Sequence, residues 1–281
     1  MEKKRIKLSQ KDRAVLISAL VFVLVVVFLV AGIKLYSIVH EYRVAQRSYN
    51  KLSDQFVSAS TPAPQGSQTS QGQSGQAADP QPGVVLADPS PISVDFDALL
   101  AKNSDVKGWL YSEGTVINYP VVQAADNDYY LHRLYDGSYN GSGSLFIDYR
   151  CYSGLQGRIA IIYGHHMNDG SMFASLVEYR KQEYYDAHPV MYLNTPQGNY
   201  QVELFSGFIT AADSAVYVMG FADDEEYAAY LMKMKAFSEF DCDVTPTVDD
   251  RIIVLSTCTY EYNNARYVVF GRLVPTRDAV G

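Results

Sequence analysis

Residues 14–33 run for twenty positions without a charged side chain, and almost all of them are Val, Leu, Ile, Phe or Ala. A helix rises about 1.5 Å per residue, so this run is long enough to span the roughly 30 Å hydrocarbon core of a bilayer. The run is longer than the apolar region of a signal peptide, and no small-residue cleavage site follows it. We therefore predict one uncleaved transmembrane anchor over residues 14–33.

The flanks of this run predict its orientation. Residues 1–13 hold six lysines and arginines against two acidic residues, and basic flanks of membrane helices stay in the cytoplasm. We expect residues 1–13 to form a cytoplasmic basic arm, and everything after the anchor to lie outside the cell membrane. The formal net charge of the whole chain is -8. This charge disfavours nucleic acid as a partner, because binding to phosphate needs a concentrated basic surface.

Composition divides the rest of the chain into three parts. Residues 34–57 mix apolar and charged side chains in a pattern compatible with a helical juxtamembrane stalk. Residues 58–91 are rich in Ser, Gln, Gly and Pro. This composition predicts a flexible linker with an end-to-end distance of roughly 30 Å, enough to hold a domain off the bilayer. We expect the globular domain to occupy residues 92–281.

Short β-branched and aromatic runs broken by Gly, Pro, Asn and Asp fill residues 92–281, which is typical of a mainly β domain with a few helices. Eight such runs predict strands that suit a closed barrel or a sandwich: 108–111, 115–123, 144–148, 158–163, 190–194, 200–210, 251–256 and 266–274. The sequence TPQG at 195–198 predicts a hairpin between two of them. Helices are predicted at 96–102, 171–183 and 224–239, and the last begins with acidic residues that suit the positive end of a helix dipole.

Cys258 follows an apolar run at the expected end of a strand, where side chains reach the rim of a site. Arg266 opens the next run eight residues later, so the thiol and the guanidinium would meet if the two strands were antiparallel neighbours. A neighbouring arginine favours the thiolate and donates hydrogen bonds to an oxyanion. The alternative interpretation is a buried strand cysteine followed by a surface arginine.

A cysteine nucleophile needs a proton donor for its leaving group, and histidine titrates near neutral pH. His165 and His166 follow Gly164 at the expected end of a strand, so this pair supplies the candidate. Three further histidines have settings typical of surface or structural side chains: His40, His132 and His188. A zinc site at the adjacent histidines is disfavoured because no third ligand lies at metal spacing. We expect neither a metal nor a cofactor.

The other two cysteines, Cys151 and Cys242, lack a comparable setting, and we predict that both are non-catalytic. Three cysteines are too few for a disulfide scaffold in a chain of 281 residues. Cys151 and Cys242 would form a disulfide only if the fold brought them together.

The candidate residues belong to a wider set of motifs: VKGWL at 106–110, INYPVVQ at 117–123, DNDYYL at 126–131, SLFID at 144–148, YGHHM at 163–167 and LSTC at 255–258. Residues 96–274 thereby resemble the sortases, cysteine transpeptidases of the Gram-positive cell surface, and among them class B. A Thr-Cys with a following arginine, joined to an upstream Gly-His, is specific in combination. The resemblance implies that His165 is the catalytic histidine because it directly follows the glycine. It further implies that Cys258 is the nucleophile and Arg266 the essential arginine.

The resemblance also implies a fold and a reaction. The fold is a closed eight-stranded sortase-type β-barrel, with the helix near 224–239 in the loop over the substrate groove. In the reaction, the cysteine cleaves the C-terminal sorting motif of a secreted protein after threonine. An amine of a peptidoglycan cross-bridge or of its lipid-linked precursor then resolves the thioacyl-enzyme. Ser256 and Thr257 would line the groove, and Tyr217 is a further candidate. One departure is Cys151, where class B members commonly have asparagine.

Two alternatives stay open on the sequence. A membrane-tethered cysteine peptidase or peptidoglycan amidase also uses cysteine and histidine outside the cell, without an arginine at the oxyanion. A non-enzymatic surface adhesin with a tyrosine-rich face would hold Cys258 in its core. Replacing Arg266 separates the first alternative from a sortase, and replacing Cys258 separates the second.

Overall fold

The computed structural model describes residues 9–60, 86–259 and 264–277. The chain divides into two compact units, Met1–Val44 and Ala45–Gly281. Helix α1 (Gln10–Phe56) begins in the first unit and contains the apolar run. Within the described ranges it is the one helix that is long and apolar enough to cross a membrane, judged by length and composition.

The end of α1 belongs to the second unit, so the prediction that the globular domain begins at residue 92 is wrong. Ala45, Tyr49, Leu52 and Phe56 are all buried, and their spacing of three or four residues places them on one face of the helix. That face packs in the core of the second unit. The predicted stalk over residues 34–57 is helical as far as Phe56, but its last part belongs to the folded domain.

The predicted linker begins and ends inside the same unit. β1 (Val57–Ala59) pairs antiparallel with β2 (Ile92–Val94), and the Ser60 N–H donates to the Pro91 carbonyl at 2.9 Å. The interpretation of residues 58–91 as a spacer between the membrane and the domain is wrong at these two ends. Residues 61–85, the remainder of that prediction, lie outside the described residues.

Eight strands close into a barrel in the order β10-β8-β7-β3-β4-β5-β6-β9. They are β3 (Val106–Tyr111), β4 (Asn118–Val122), β5 (Leu145–Ile147), β6 (Ile159–Tyr163), β7 (Val190–Thr195), β8 (Gly198–Ala211), β9 (Ile252–Cys258) and β10 (Ala265–Pro275). Each overlaps one of the eight predicted strands, and β7 and β8 form the predicted hairpin with Thr195 opposite Gly198. The closed eight-stranded barrel is confirmed.

The helices follow the prediction less closely. α2 (Phe96–Lys102) and α4 (Asp224–Ala236) confirm two of them. The predicted helix over 171–183 is instead a 3-10 segment, Ala174–Arg180, followed by the short α3 (Gln182–Ala187). Lys181 interrupts the helix because its backbone is extended, with φ -104° and ψ 123°. Two further 3-10 turns lie at Tyr130–His132 and Gly154–Gln156.

Local sequence explains how α4 starts and which strands it covers. The Asp223 carboxylate accepts from the Glu226 N–H at 2.8 Å, and the Glu226 carboxylate accepts from the Ala222 N–H at 2.6 Å. The first bond satisfies an amide donor that the first turn of the helix leaves unpaired, and the second holds the residue before the N-cap against that turn. The buried face of α4 then packs on side chains of four neighbouring barrel strands: Ile161 of β6, Phe208 of β8, Val254 of β9 and Phe270 of β10.

Candidate active site

The pairing of β6 with β9 brings the cysteine and the histidine together. These two strands lie side by side and run parallel, with Tyr163 opposite Ser256, so their carboxyl ends meet at one edge of the barrel. Cys258 is the last residue of β9, and His165 follows the end of β6 by two positions. Both border one cleft of about 290 Å³.

The glycine before His165 has a packing role. A Cβ at Gly164 would approach Leu145 Cδ2 to 2.5 Å and Phe173 Cδ2 to 2.6 Å. Leu145 and Phe173 are both fully buried, so neither side chain has space to move away. The Gly164 N–H also donates to the Ser256 carbonyl at 3.1 Å, which continues the pairing of the two strands past the end of β6.

Arg266, the second residue of β10, lies directly opposite Cys258 in the antiparallel pair of β9 and β10, and it borders the same cleft. The two strands are therefore antiparallel neighbours, which is the condition that the eight-residue spacing required. The Arg266 Nη1 donates to the carbonyl of its neighbour Ala265 at 3.0 Å. A guanidinium beside a thiol provides hydrogen-bond donors where an oxyanion would form.

One hydrogen bond orients the ring of His165. Its Nε2 lies 2.7 Å from the carbonyl oxygen of Leu131, and because a carbonyl only accepts, Nε2 carries a hydrogen. In the neutral ring, Nδ1 is then the nitrogen that exchanges a proton. Burial lowers the pKa of His165; the Leu131 carbonyl opposes this shift, and the charges of His132 and Arg266 add to it. The site therefore favours a neutral imidazole.

The neighbouring histidines have distinct contacts. His132 is exposed, as its setting predicts, but its ring also stacks on His165, with centroids 5.8 Å apart and planes at 19°. Sequence reasoning missed this contact because the two rings come from separate loops. His166 Nδ1 donates to the Cys258 carbonyl at 3.1 Å. His166 therefore contacts the backbone of the cysteine, whereas His165 borders the cleft.

The three predicted groove residues also border the cleft. The hydroxyls of Tyr217 and Ser256 lie 3.0 Å apart. Thr257 is buried, and its Oγ1 has no hydrogen-bond partner within the described part of the chain. Several further lining residues were not assigned from the sequence: Asn127, Asp128, Leu131, Phe146, Tyr163 and Ala212.

A buried carboxylate lies behind the wall of the cleft. Asp148 is fully buried, and it accepts from Arg150 Nη2 at 2.7 Å, from Arg150 Nε at 3.0 Å and from the Tyr163 hydroxyl at 2.9 Å. Burial by itself raises the pKa of Asp148, but the hydrogen bonds from Arg150 and Tyr163 outweigh it and hold that pKa below its usual value. The network thereby fixes the Tyr163 ring in the cleft wall.

All three cysteines of the chain are described, and all three are free thiols. The Cys151 Sγ lies 3.7 Å from the Met219 Sδ, and burial raises the pKa of this thiol. The Cys242 Sγ lies 3.3 Å from the Phe205 carbonyl. Cys151 and Cys242 therefore do not form a disulfide with each other. Within the described ranges no group of three His, Cys, Asp or Glu side chains is arranged to hold a metal ion.

Comparison with known proteins agrees with this geometry. The sortase domain family matches residues 111–274. Sortase B of Listeria monocytogenes is 40% identical over 174 residues, which cover 61% of this chain and 71% of that protein. A solved Staphylococcus aureus sortase B–substrate complex is 34% identical with a TM-score of 0.60, and the match covers 64% of this chain and 84% of that one. A solved sortase B complexed with triglycine is 34% identical with a TM-score of 0.60, over 64% of this chain and 85% of that one.

More than half of the chain matches the domain family, and the chain therefore belongs to the sortases, a family of cysteine transpeptidases. Its relatives place it in class B, so its activity is that of a class B sortase transpeptidase. These matches favour neither the peptidase or amidase alternative nor the adhesin.

Proposed function

We propose that Cys258 is the nucleophile, Arg266 the oxyanion donor and His165 the general acid and base of a two-step acyl transfer. The observation that carries this proposal is the strand pairing around β9. Its antiparallel partner supplies Arg266 opposite Cys258, and its parallel partner leads to His165 at the same cleft. Three separate parts of the chain thereby contribute to one site.

In the first step, the neutral His165 imidazole takes the proton of the Cys258 thiol, and the resulting thiolate attacks the carbonyl carbon of a threonine in the sorting motif. Arg266 donates hydrogen bonds to the oxyanion that forms. His165 protonates the leaving amine as the carbon–nitrogen bond breaks. The products are a thioester on Cys258 and a free C-terminal fragment.

In the second step, a primary amine gives a proton to His165 and attacks the thioester. The carbon–sulfur bond breaks, the thiolate of Cys258 is restored, and a new amide joins the two substrates. The proton that His165 lost in the first step is thereby replaced. The reaction needs no cofactor.

The substrates follow from the relatives. A Staphylococcus aureus sortase B has been solved with a substrate, and a sortase B has been solved with triglycine. For this chain we assign a sorting motif of a secreted protein as the acyl donor, and an amine of a peptidoglycan cross-bridge or of its lipid-linked precursor as the acceptor. Ser256, Thr257 and Tyr217 would contact the motif, since they border the cleft beside Cys258.

We assign the chain to the cell membrane through α1, with residues 1–13 in the cytoplasm and the catalytic unit outside. The basic N-terminal flank of the apolar run supports this orientation. A membrane-impermeant thiosulfonate reagent applied to intact cells should modify Cys258 before Cys151, which is buried and has a raised pKa. Labelling of Cys258 only after cell lysis would contradict the orientation.

The reaction itself is tested on the full-length chain in detergent, with a panel of short sorting-motif peptides and an amine acceptor. Mass spectrometry should detect cleavage after threonine, a thioacyl adduct on Cys258 and the amide product. Cys258→Ala and His165→Ala should abolish the product, and Arg266→Ala should lower the rate by about 100- to 1000-fold.

Matched controls are Cys242→Ala and Arg277→Ala. Cys242 contacts a backbone carbonyl outside the cleft, and Arg277 pairs with Asp88 on the surface. Both variants should keep the wild-type rate. A wild-type rate in Arg266→Ala would favour the peptidase or amidase alternative, and surface anchoring by Cys258→Ala in cells would favour the adhesin.

A further inference from the structure

Tyr49 lies on the last part of α1, in the same compact unit as the barrel. Its side chain is 3% exposed. The Tyr49 hydroxyl donates to the Gly143 carbonyl at 2.5 Å and lies 3.0 Å from the Ser144 hydroxyl. The last part of α1 therefore contacts the segment just before β5.

Gly143 lies directly against the carbonyl that orients the catalytic histidine. It has φ 58°, and a Cβ added there would lie 2.5 Å from the Leu131 carbonyl oxygen. That oxygen is the acceptor of the 2.7 Å hydrogen bond from His165 Nε2. The Gly143 backbone, which Tyr49 anchors, thus forms one side of the space that Leu131 occupies.

Ser144 fixes the same turn at two further points. Its N–H donates to the Tyr130 carbonyl at 3.1 Å, and its hydroxyl donates to the Arg133 carbonyl at 2.9 Å. Ser144, which the Tyr49 hydroxyl contacts, therefore holds one carbonyl that precedes Leu131 in the chain and one that follows it. A displacement of residues 143–144 would move the acceptor of His165.

The Tyr49 ring contacts a second residue, Tyr119, whose hydrogen bond leads to the main chain of His165. It packs edge-on against Tyr119, with centroids 5.1 Å apart at 84°. The Tyr119 hydroxyl accepts from the Met172 N–H at 3.2 Å, and the next N–H, that of Phe173, donates to the His165 carbonyl at 3.0 Å. One side chain of α1 therefore supports both the side-chain and the main-chain hydrogen bonds of His165.

We propose that Tyr49 is a positioning residue for the catalytic His165, through Gly143 and Leu131 on one side and through Tyr119 on the other. The proposal rests on the role assigned to His165 under the proposed function. It extends the support of the catalytic site to the last part of α1. Residues 45–60 are then needed for the geometry of the site as well as for stability.

Tyr49→Phe tests this proposal in the full-length chain, because it removes the hydroxyl and keeps the ring on Tyr119. We expect kcat to fall about tenfold while KM stays within about twofold, since the cleft that binds the peptide is unchanged. The Leu131 carbonyl raises the pKa of His165. A weaker bond to it should therefore move the limb of the pH–rate profile that reports His165 to lower pH.

Other groups also act on this pH limb and must stay constant between the variants. The titratable and charged side chains facing His165 or bordering its cleft are His132, Asp128, Tyr163, Tyr217, Cys258 and Arg266. The Tyr49 hydroxyl instead donates to the Gly143 carbonyl and lies beside the Ser144 hydroxyl. A shift of the limb in Tyr49→Phe is therefore assigned to the bond between His165 and Leu131.

Tyr179→Phe is the matched control. Tyr179 is also fully buried, and its hydroxyl also donates to a backbone carbonyl, that of His188, at 2.9 Å. Both variants should lower Tm, but only Tyr49→Phe should change kcat and the pH profile. Ser144→Ala should act on the same turn, so its effect combined with Tyr49→Phe should be less than the product of the two single effects.

The proposal is overturned if Tyr49→Phe changes only Tm, if it raises KM at unchanged kcat, or if its effect multiplies fully with that of Ser144→Ala. His165→Ala separates this result from the proposed function. If His165→Ala is inactive and Tyr49→Phe is fully active, only the positioning role of Tyr49 is contradicted. If His165→Ala is active, the acid–base role of His165 is contradicted, and the positioning role of Tyr49 falls with it.

Discussion

Leu52 tests where the globular unit begins. Its side chain is 1% exposed on the part of α1 that packs in the second unit. Truncating a buried leucine to alanine leaves a cavity and costs roughly 2–5 kcal/mol of unfolding free energy. For a unit of this size each kcal/mol lowers Tm by about 2–4 °C, so Leu52→Ala is expected to lower Tm by on the order of 10 °C. If Leu52 lay in a stalk outside the domain, Leu52→Ala would leave Tm almost unchanged.

Unfolding of the full-length chain in detergent is followed by the near-UV signal of its tyrosines, during heating and in urea. Lys51→Ala is the control, because Lys51 is the exposed neighbour of Leu52 on the same helix, and its change should stay within about 0.5 kcal/mol. A loss of unfolding free energy below about 1 kcal/mol for Leu52→Ala would refute the argument, because truncation of a buried leucine costs more than that. The domain would then begin near residue 92.

Three other substitutions test the site and its support. His132→Gln removes a charge that lowers the pKa of His165, so the corresponding limb of the pH–rate profile should move to higher pH; an unmoved limb would contradict the stacked pair. Gly164→Ala places a Cβ in filled space beside His165 and should lower kcat/KM on the order of 100-fold in the peptide assay, whereas a normal rate would show that the site adapts. The depressed pKa of Asp148 stabilises the fold above its ordinary value of 3.8, and this stability is lost as pH falls through the folded-state pKa. Asp148→Asn should therefore lose less unfolding free energy than the wild type when urea titrations are repeated below about pH 4, and an equal loss would place the titrating group elsewhere.

The barrel strands were predictable because each is a local pattern of β-branched and aromatic residues between turn signals. The juxtaposition of Cys258 and Arg266 was also predictable, because a short connection between consecutive strands favours an antiparallel pair. The resemblance of the motifs singled out His165 of the two adjacent histidines. The extent of α2 matched the prediction because its pattern is short and bounded by a capping residue, Asp95.

The start of the domain was mispredicted for a physical reason. The buried face of α1 has a helical period, but its partners on the barrel lie much later in the chain: Tyr49 contacts Gly143, and the Ser53 hydroxyl accepts from Asn118. The low-complexity residues that follow α1 suggested a boundary. Composition reports whether a segment has enough apolar surface to fold, but it does not show where the ends of that segment attach.

By itself the sequence determined the elements whose causes are local: the apolar run of α1, the eight strands, the turn between β7 and β8, and the cysteine and arginine of one strand pair. Only the tertiary structure decided which distant elements became neighbours. The parallel pairing of β6 with β9 brings His165 to Cys258, and the packing of α1 places Tyr49 behind the Leu131 carbonyl. Such contacts join residues far apart in the chain, so their specificity lies in complementary surfaces that no single segment contains.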